Sequence, residues 1–235
     1  MTSTPACPTR MAFEHRFFMV ALFAIFAVVV AGFARTYYLK AWFGTPALPW
    51  LVHLHGALMT SWFVLFFTQT CLIASHRVAW HRRLGVFGVG LAVAILVVAP
   101  IVLVHAVSRE LHAPNGPQGL VVIFGPDLVV LTDFAFLVGS AITLRQRSDF
   151  HKRLMLLVTC SIILPAISRL PISALAGFGL FYACVPAPVV VDTARHRRLH
   201  PAFGWGAPLP IASQQLAFYA AHTHAWHAFV VRLFA

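Results

Sequence analysis

The sequence predicts an all-α polytopic membrane helix bundle, one integral domain over residues 1–235 with about seven transmembrane helices and a cytoplasmic N-terminus. Three observations carry this expectation. Hydrophobic residues make up 60% of the chain and charged residues only 10%, where a soluble domain keeps nearer a quarter charged. Mean hydropathy is +0.84. Apolar runs of about 20 residues recur along the chain, and each is long enough to cross the hydrocarbon core as a helix.

Helix one is expected over 17–34, read as an uncleaved anchor because its apolar core exceeds the usual signal-peptide length of about 7 to 15 residues. The link that follows carries Tyr37, Tyr38, Trp42 and Phe43, rings suited to the headgroup level. Helix two is expected over 49–74. Helix three covers 84–107, where Gly85, Gly88 and Gly90 allow close helix approach. Pro114, Asn115, Gly116 and Pro117 give a turn before helix four at 119–144. Helix five, 154–170, ends at Pro171. Helix six covers 172–191, with Pro186 and Pro188 distorting its last turns. Helix seven, 201–221, is polar and kinked by Pro208 and Pro210.

Twelve basic residues, Arg10, Arg16, Arg77, Arg82, Arg83, Arg145, Arg147, Lys152, Arg153, Arg195, Arg197 and Arg198, fall on one side of these spans. Arg35, Lys40, Arg109, Arg169 and Arg232 fall on or near the other, so the richer side is expected to be cytoplasmic. The net charge of +11 is spread between apolar runs rather than along a groove interleaved with aromatics. It therefore predicts contact with an anionic lipid bilayer and no nucleic-acid partner. Cys7, Cys71, Cys160 and Cys184 form no C-x-x-C pair and read as small apolar residues.

The chemistry concentrates on helix two. From His55, helical steps lead to Met59, Trp62, Phe66 and Gln69, one face carrying an imidazole, a thioether, an indole and an amide. An ionisable group in hydrocarbon must face protein, so this face is expected to point inward and Leu54, Leu58, Leu65 and Leu72 to meet lipid. Depth along each helix places His55, Asp127, Gln214, Gln215 and Arg169 in one outer layer, with Asp127 and Arg169 able to pair. The same residues also read as a polar lock between helices. Asp133, near mid-membrane, is either a proton-relay group or a hydrogen-bond partner for a neighbouring helix.

Outer histidines include His53, His55 and His105, the ligand types of a zinc or copper site, with His112 beside helix three, and the tail cluster His222, His224 and His227, which reads as solvated or interfacial. A single haem b between His55 and a partner such as His105 is the other cofactor reading, although the two-haem spacing on one helix is missing. On the inner face His81 and His151 can ligate a cofactor or contact an anionic headgroup. They belong to an echo, HRRL at 81–84, HKRL at 151–154 and HRRL at 196–199, each expected to open an odd-numbered helix. No Walker loop, Rossmann glycine pattern, G-x-S-x-G elbow or H-E-x-x-H pair occurs.

H-x-H-G-x-x-M-x-x-W at 53–62, Q-x-x-L-I-A-x-H-R-V at 69–78, H-R-R-L-G at 81–85 and H-K-R-L-M at 151–155 together resemble a family of uncharacterised bacterial inner-membrane proteins. The resemblance implies a bacterial inner-membrane location and is silent on activity. The functional expectation is a small membrane component that binds haem, a metal or a quinone through a buried His55, Asp127 and Arg169 site, with a membrane redox partner. The alternative is an assembly partner or small transporter whose polar residues lock helices or carry protons.

Overall fold

The apolar runs form helices whose ends fall at prolines, glycines and short polar links. The computed structural model describes residues 8–113 and 119–234, without the side chains of 8–16, 120 and 121. Cys7 and the turn around Asn115 lie outside the described residues. The elements are α1 (Pro8–Phe33), a π-helical turn (Ala34–Tyr38), α2 (Trp50–Ala74), α3 (Val78–Leu111), α4 (Leu120–Thr143), α5 (Ser148–Ser161) and α6 (Leu164–Ile167). After them come α7 (Ala174–Cys184), α8 (Pro186–His196), α9 (Pro201–Gly206), α10 (Pro208–Ala221) and α11 (His224–Phe234). No strand occurs among the described residues.

Among the described residues six helical stretches are long and apolar enough to cross a membrane: Phe17–Tyr38, Trp50–Ala74, Val78–Leu111, Val122–Thr143, Ser148–Ile167 and Ala174–His196. The seventh expected span exists as α9 and α10, two pieces each too short to cross alone, with the break at Ala207 before Pro208. Helix five differs from its expectation as well. It starts at Ser148 and breaks at Ile162–Ile163, because Pro165 has no N–H to donate to the Ser161 carbonyl and its ring crowds that group. Pro186 opens α8 rather than bending a continuous helix, since a proline at the first turn needs no N–H donor. The echo holds for two of its three copies. His81 and His151 lie in the first turns of α3 and α5, whereas His196 ends α8, and Arg197 takes a left-handed φ of 52° to reverse the chain.

Helices α1 to α5 close into a ring of neighbours, α1 on α2, α2 on α3, α3 on α4, α4 on α5 and α5 on α1. Against this ring α10 packs on α4, α9 on α5, and α6 on α1. α5 is polar in its first half, SDFHKR, and buried in its second, where every residue from Leu156 to Ser161 is enclosed. Two close approaches set the spacing of α1. A Cβ on Gly32 would lie 2.1 Å from the Ala166 carbonyl oxygen of α6, and one on Gly56 would lie 2.5 Å from the Tyr37 ring. The H-G step of helix two therefore leaves room for Tyr37, whose hydroxyl donates to the His53 carbonyl at 3.2 Å.

The expected lipid face of α2 is corrected. Leu54 is exposed, but Leu65 is buried and its side chain meets the Cβ position of Gly88 on α3 at 3.1 Å, while Leu58 packs on the core. Val64 and Trp50 are exposed instead. α2 is flanked by both α1 and α3, which leaves only a narrow outward strip. Of the three glycines expected to admit a neighbour, Gly88 does so and Gly90 faces open space.

Candidate functional site: two polar levels separated by an aromatic plug

The ring encloses a ladder with matching rungs on α2 and α4. On α2, His55, Trp62 and Gln69 are each seven residues apart; on α4, so are Asp127, Phe134 and Ala141. Seven residues are two helical turns, about 10.5 Å of rise, and return the side chain to nearly the same face. The Trp62 and Phe134 rings meet edge to face at 4.9 Å in the middle rung, and both are buried. This contact sets the register, with His55 level with Asp127 at one end and Gln69 level with Ala141 at the other.

At the upper level Arg169 acts electrostatically on both His55 and Asp127. Its guanidinium donates to the Pro165 carbonyl at 2.5 Å and lies 4.8 Å from the Phe33 ring centroid, a cation–π arrangement. Among the described residues Asp127 and Arg169 form no direct ion pair. Arg169 is exposed where α6 ends, while His55 and Asp127 are half-buried, so the charge stands at the edge of the site and not inside the buried one expected. Gln214 is buried and donates to the Pro126 carbonyl at 3.1 Å, while Gln215 is exposed.

The inward face predicted for α2 is half-buried at His55, Met59, Phe66 and Gln69 and buried at Trp62. Three of its polar atoms, His55 Nδ1, Trp62 Nε1 and Gln69 Oε1, are buried without a hydrogen-bond partner. Unsatisfied polar atoms are costly in an apolar interior, and three on one helical stripe form a pattern rather than scattered exceptions.

His53 and His105 are exposed and stand apart from His55, His53 lying beside Tyr37 at 5.8 Å. Among the described residues no group of three His, Cys, Asp or Glu side chains is placed to hold a metal ion. His222, His224 and His227 are also exposed. Their segment forms the short helix α11, whose Trp226 covers Gly125 and stacks near Phe124.

Asp133 accepts from the Ser213 hydroxyl at 2.7 Å and so ties α4 to α10. Ser213→Ala is expected to lower stability by about 1 kcal/mol, the ordinary worth of one such bond, read as a lower thermal midpoint in detergent.

Sequence reasoning missed a buried ion pair at the arginine-rich end. Arg153 of α5 is 4% exposed and Asp192 of α8 is 6% exposed. Nε reaches Oδ2 at 3.1 Å and Nη2 reaches Oδ1 at 2.7 Å, a bidentate pair, while Nη1 donates to the Asp149 carbonyl at 2.9 Å. A cavity of about 120 Å³ adjoins it, lined also by Lys152, His196, Arg198 and His200. One signal was available: with only six acidic residues in the chain, a carboxylate inside the basic stretch VDTARHRRLH has to have a partner.

No protein-family model matches the chain, and comparison with curated proteins and with solved structures finds no match. Fold and composition together define a multi-pass, all-α membrane protein in contact with the lipid bilayer.

Proposed function

We propose that the protein binds the head group of a lipid-soluble quinone in the His55 half of the ring, in a bacterial inner membrane with the arginine-rich end cytoplasmic. The observation that carries this reading is the pair of unpartnered buried nitrogens, His55 Nδ1 and Trp62 Nε1, on one face of α2. The residues that carry them are seven apart, about 10.5 Å of backbone rise along the helix axis. Two N–H···O bonds of about 2.9 Å to oxygens at opposite ends of a six-membered ring need a donor separation of about 11 Å. A para-quinone has that shape, and it reaches a membrane site through the lipid. Asp127, level with His55, and Arg169 place a carboxyl group and a fixed positive charge beside one carbonyl. Lone His55 has no opposing histidine at its level, so a hydrogen-bonded organic ligand accounts for it better than an ion needing several protein ligands. A membrane redox partner would exchange electrons with the bound quinone.

The test is organic extraction of gently purified protein, with an oxidised-minus-borohydride-reduced ultraviolet spectrum of the extract, followed by titration of a short-chain quinone. The expected result is a stoichiometric quinone and saturable binding that His55→Ala weakens about tenfold, the worth of one hydrogen bond at 1–1.5 kcal/mol. A folded sample that yields no quinone and shows no saturable binding overturns the proposal and leaves the polar level as a lock between helices. A Soret band that vanishes in His55→Ala would instead make His55 a haem ligand.

A further inference from the structure

Two histidines at the arginine-rich end take no part in the quinone site. His81, in the first turn of α3, and His151, in the first turn of α5, meet across the ring with centroids 6.3 Å apart and planes at 78°. His151 Nδ1 lies 2.8 Å from the Ala141 carbonyl oxygen. A carbonyl only accepts, so Nδ1 carries the proton and Nε2 keeps its lone pair. His81 follows the same pattern in the opposite sense. The Gln69 carbonyl lies near enough to act on its ring, and its Nδ1 is buried without a partner. The Gln69 Oε1 is likewise buried and unpartnered, and the amide sits one turn along from His81, with Nε2 3.7 Å from the Cβ position of Gly85.

We infer that His81 and His151 together hold one divalent transition-metal ion of the copper or nickel class, with the Gln69 amide oxygen as the third protein donor. His151 has one nitrogen bonded to a backbone carbonyl, which orients the ring and leaves the other nitrogen as a ligand, and His81 has a backbone carbonyl beside its ring and an unpartnered buried Nδ1. This is the outer-shell arrangement of metal-binding histidines. Imidazole nitrogen suits zinc, copper, iron and nickel, and an amide oxygen completes a borderline donor set. With metal–nitrogen bonds of about 2.0–2.1 Å, two imidazoles on one ion have centroids about 4.5 to 6.4 Å apart, depending on the angle between them. The observed 6.3 Å needs a nitrogen–metal–nitrogen angle of roughly 160°, close to the trans pair of a square-planar ion and wider than the tetrahedral angle of zinc. Two neighbouring cations lie on aromatic faces, Arg83 over Trp80 at 5.5 Å and Lys152 over Phe18 at 5.9 Å, while the Arg82 charge acts on His81. The site differs from a tail-histidine site, because α11 packs on α3 and α4 through Val107, Phe124 and Val230, far along α3 from His81.

The experiment titrates Cu²⁺ alone into the metal-free, untagged full chain in detergent and follows nitrogen hyperfine structure by electron paramagnetic resonance. The expected result is one tight site per chain with imidazole nitrogen coupling. His81→Ala and His151→Ala each weaken it at least tenfold, and the double variant His224→Ala/His227→Ala leaves it unchanged. His151→Asn keeps a donor to the Ala141 carbonyl and guards against misfolding, so it retains the thermal midpoint while losing the site. Wild-type binding in both single variants, or loss only in the tail variant, overturns the inference and assigns the copper to adventitious surface histidines.

Discussion

Asp192→Ala is expected to destabilise the protein by about 3–5 kcal/mol, because it strands the Arg153 guanidinium at 4% exposure without its carboxylate. The loss has two sources. The bidentate bonds at 3.1 and 2.7 Å disappear, and the desolvation of the cation remains uncompensated. Arg153 bridges α5, the most buried helix of the ring, to α8, so the damage should appear first as detachment of the α7–α8 span. Thermal unfolding in detergent measures the first effect, and proteolysis in the 185–200 region the second. The double variant Arg153→Met/Asp192→Leu should recover most of the stability, since an apolar pair of similar volume avoids the desolvation cost altogether. An unchanged midpoint in Asp192→Ala would show that the pair carries no structural weight.

Gly32→Ala is the second large effect, with an expected cost of about 3 kcal/mol or more. The added methyl would lie 2.1 Å from the Ala166 oxygen, 2.7 Å from its carbonyl carbon and 3.0 Å from its Cα. All three are backbone atoms, so no side-chain rotation relieves the overlap, and α1 must move away from α6. Ala166→Gly therefore should not rescue the variant. Phe33 follows Gly32 and carries the Arg169 guanidinium, so the same shift should weaken quinone binding through the displaced charge. Gly90→Ala provides the control. Its Cβ meets nothing within 4 Å, and the expected change stays within about 1 kcal/mol. Equal midpoints for the two variants would refute the close-approach argument.

Some of the site was legible in the sequence through helical period alone. The steps from His55 to Gln69 identify one stripe, and the three unpartnered atoms lie on it. The ladder partner on α4 was half visible. Asp127 could be placed by depth, but Phe134 and Ala141 are ordinary apolar residues until the Trp62 contact sets the register. Asp133 had two readings in the sequence, and only the Ser213 hydroxyl at 2.7 Å shows which neighbour it bonds. The tail was read as solvated histidines, correctly for His222, His224 and His227, yet its apolar residues were overlooked. Trp226 and Val230 pack as part of an amphipathic helix.

By itself the sequence determined that the chain is a bundle of apolar helices for a bilayer, where most of those helices lie, and that the His55 stripe turns inward. These follow from composition and from a period of 3.6, both local properties of the chain. Only the tertiary structure decided which helices are neighbours and which apolar faces meet protein. It buried Leu65 against Gly88, set Gly32 on Ala166, and joined Arg153 to Asp192 and His81 to His151 across the ring. The physical reason is that lipid tails and a protein interior are equally apolar. Hydropathy cannot distinguish a face that packs from a face that dissolves in the bilayer, and the choice falls to shape and to a few polar contacts between distant segments.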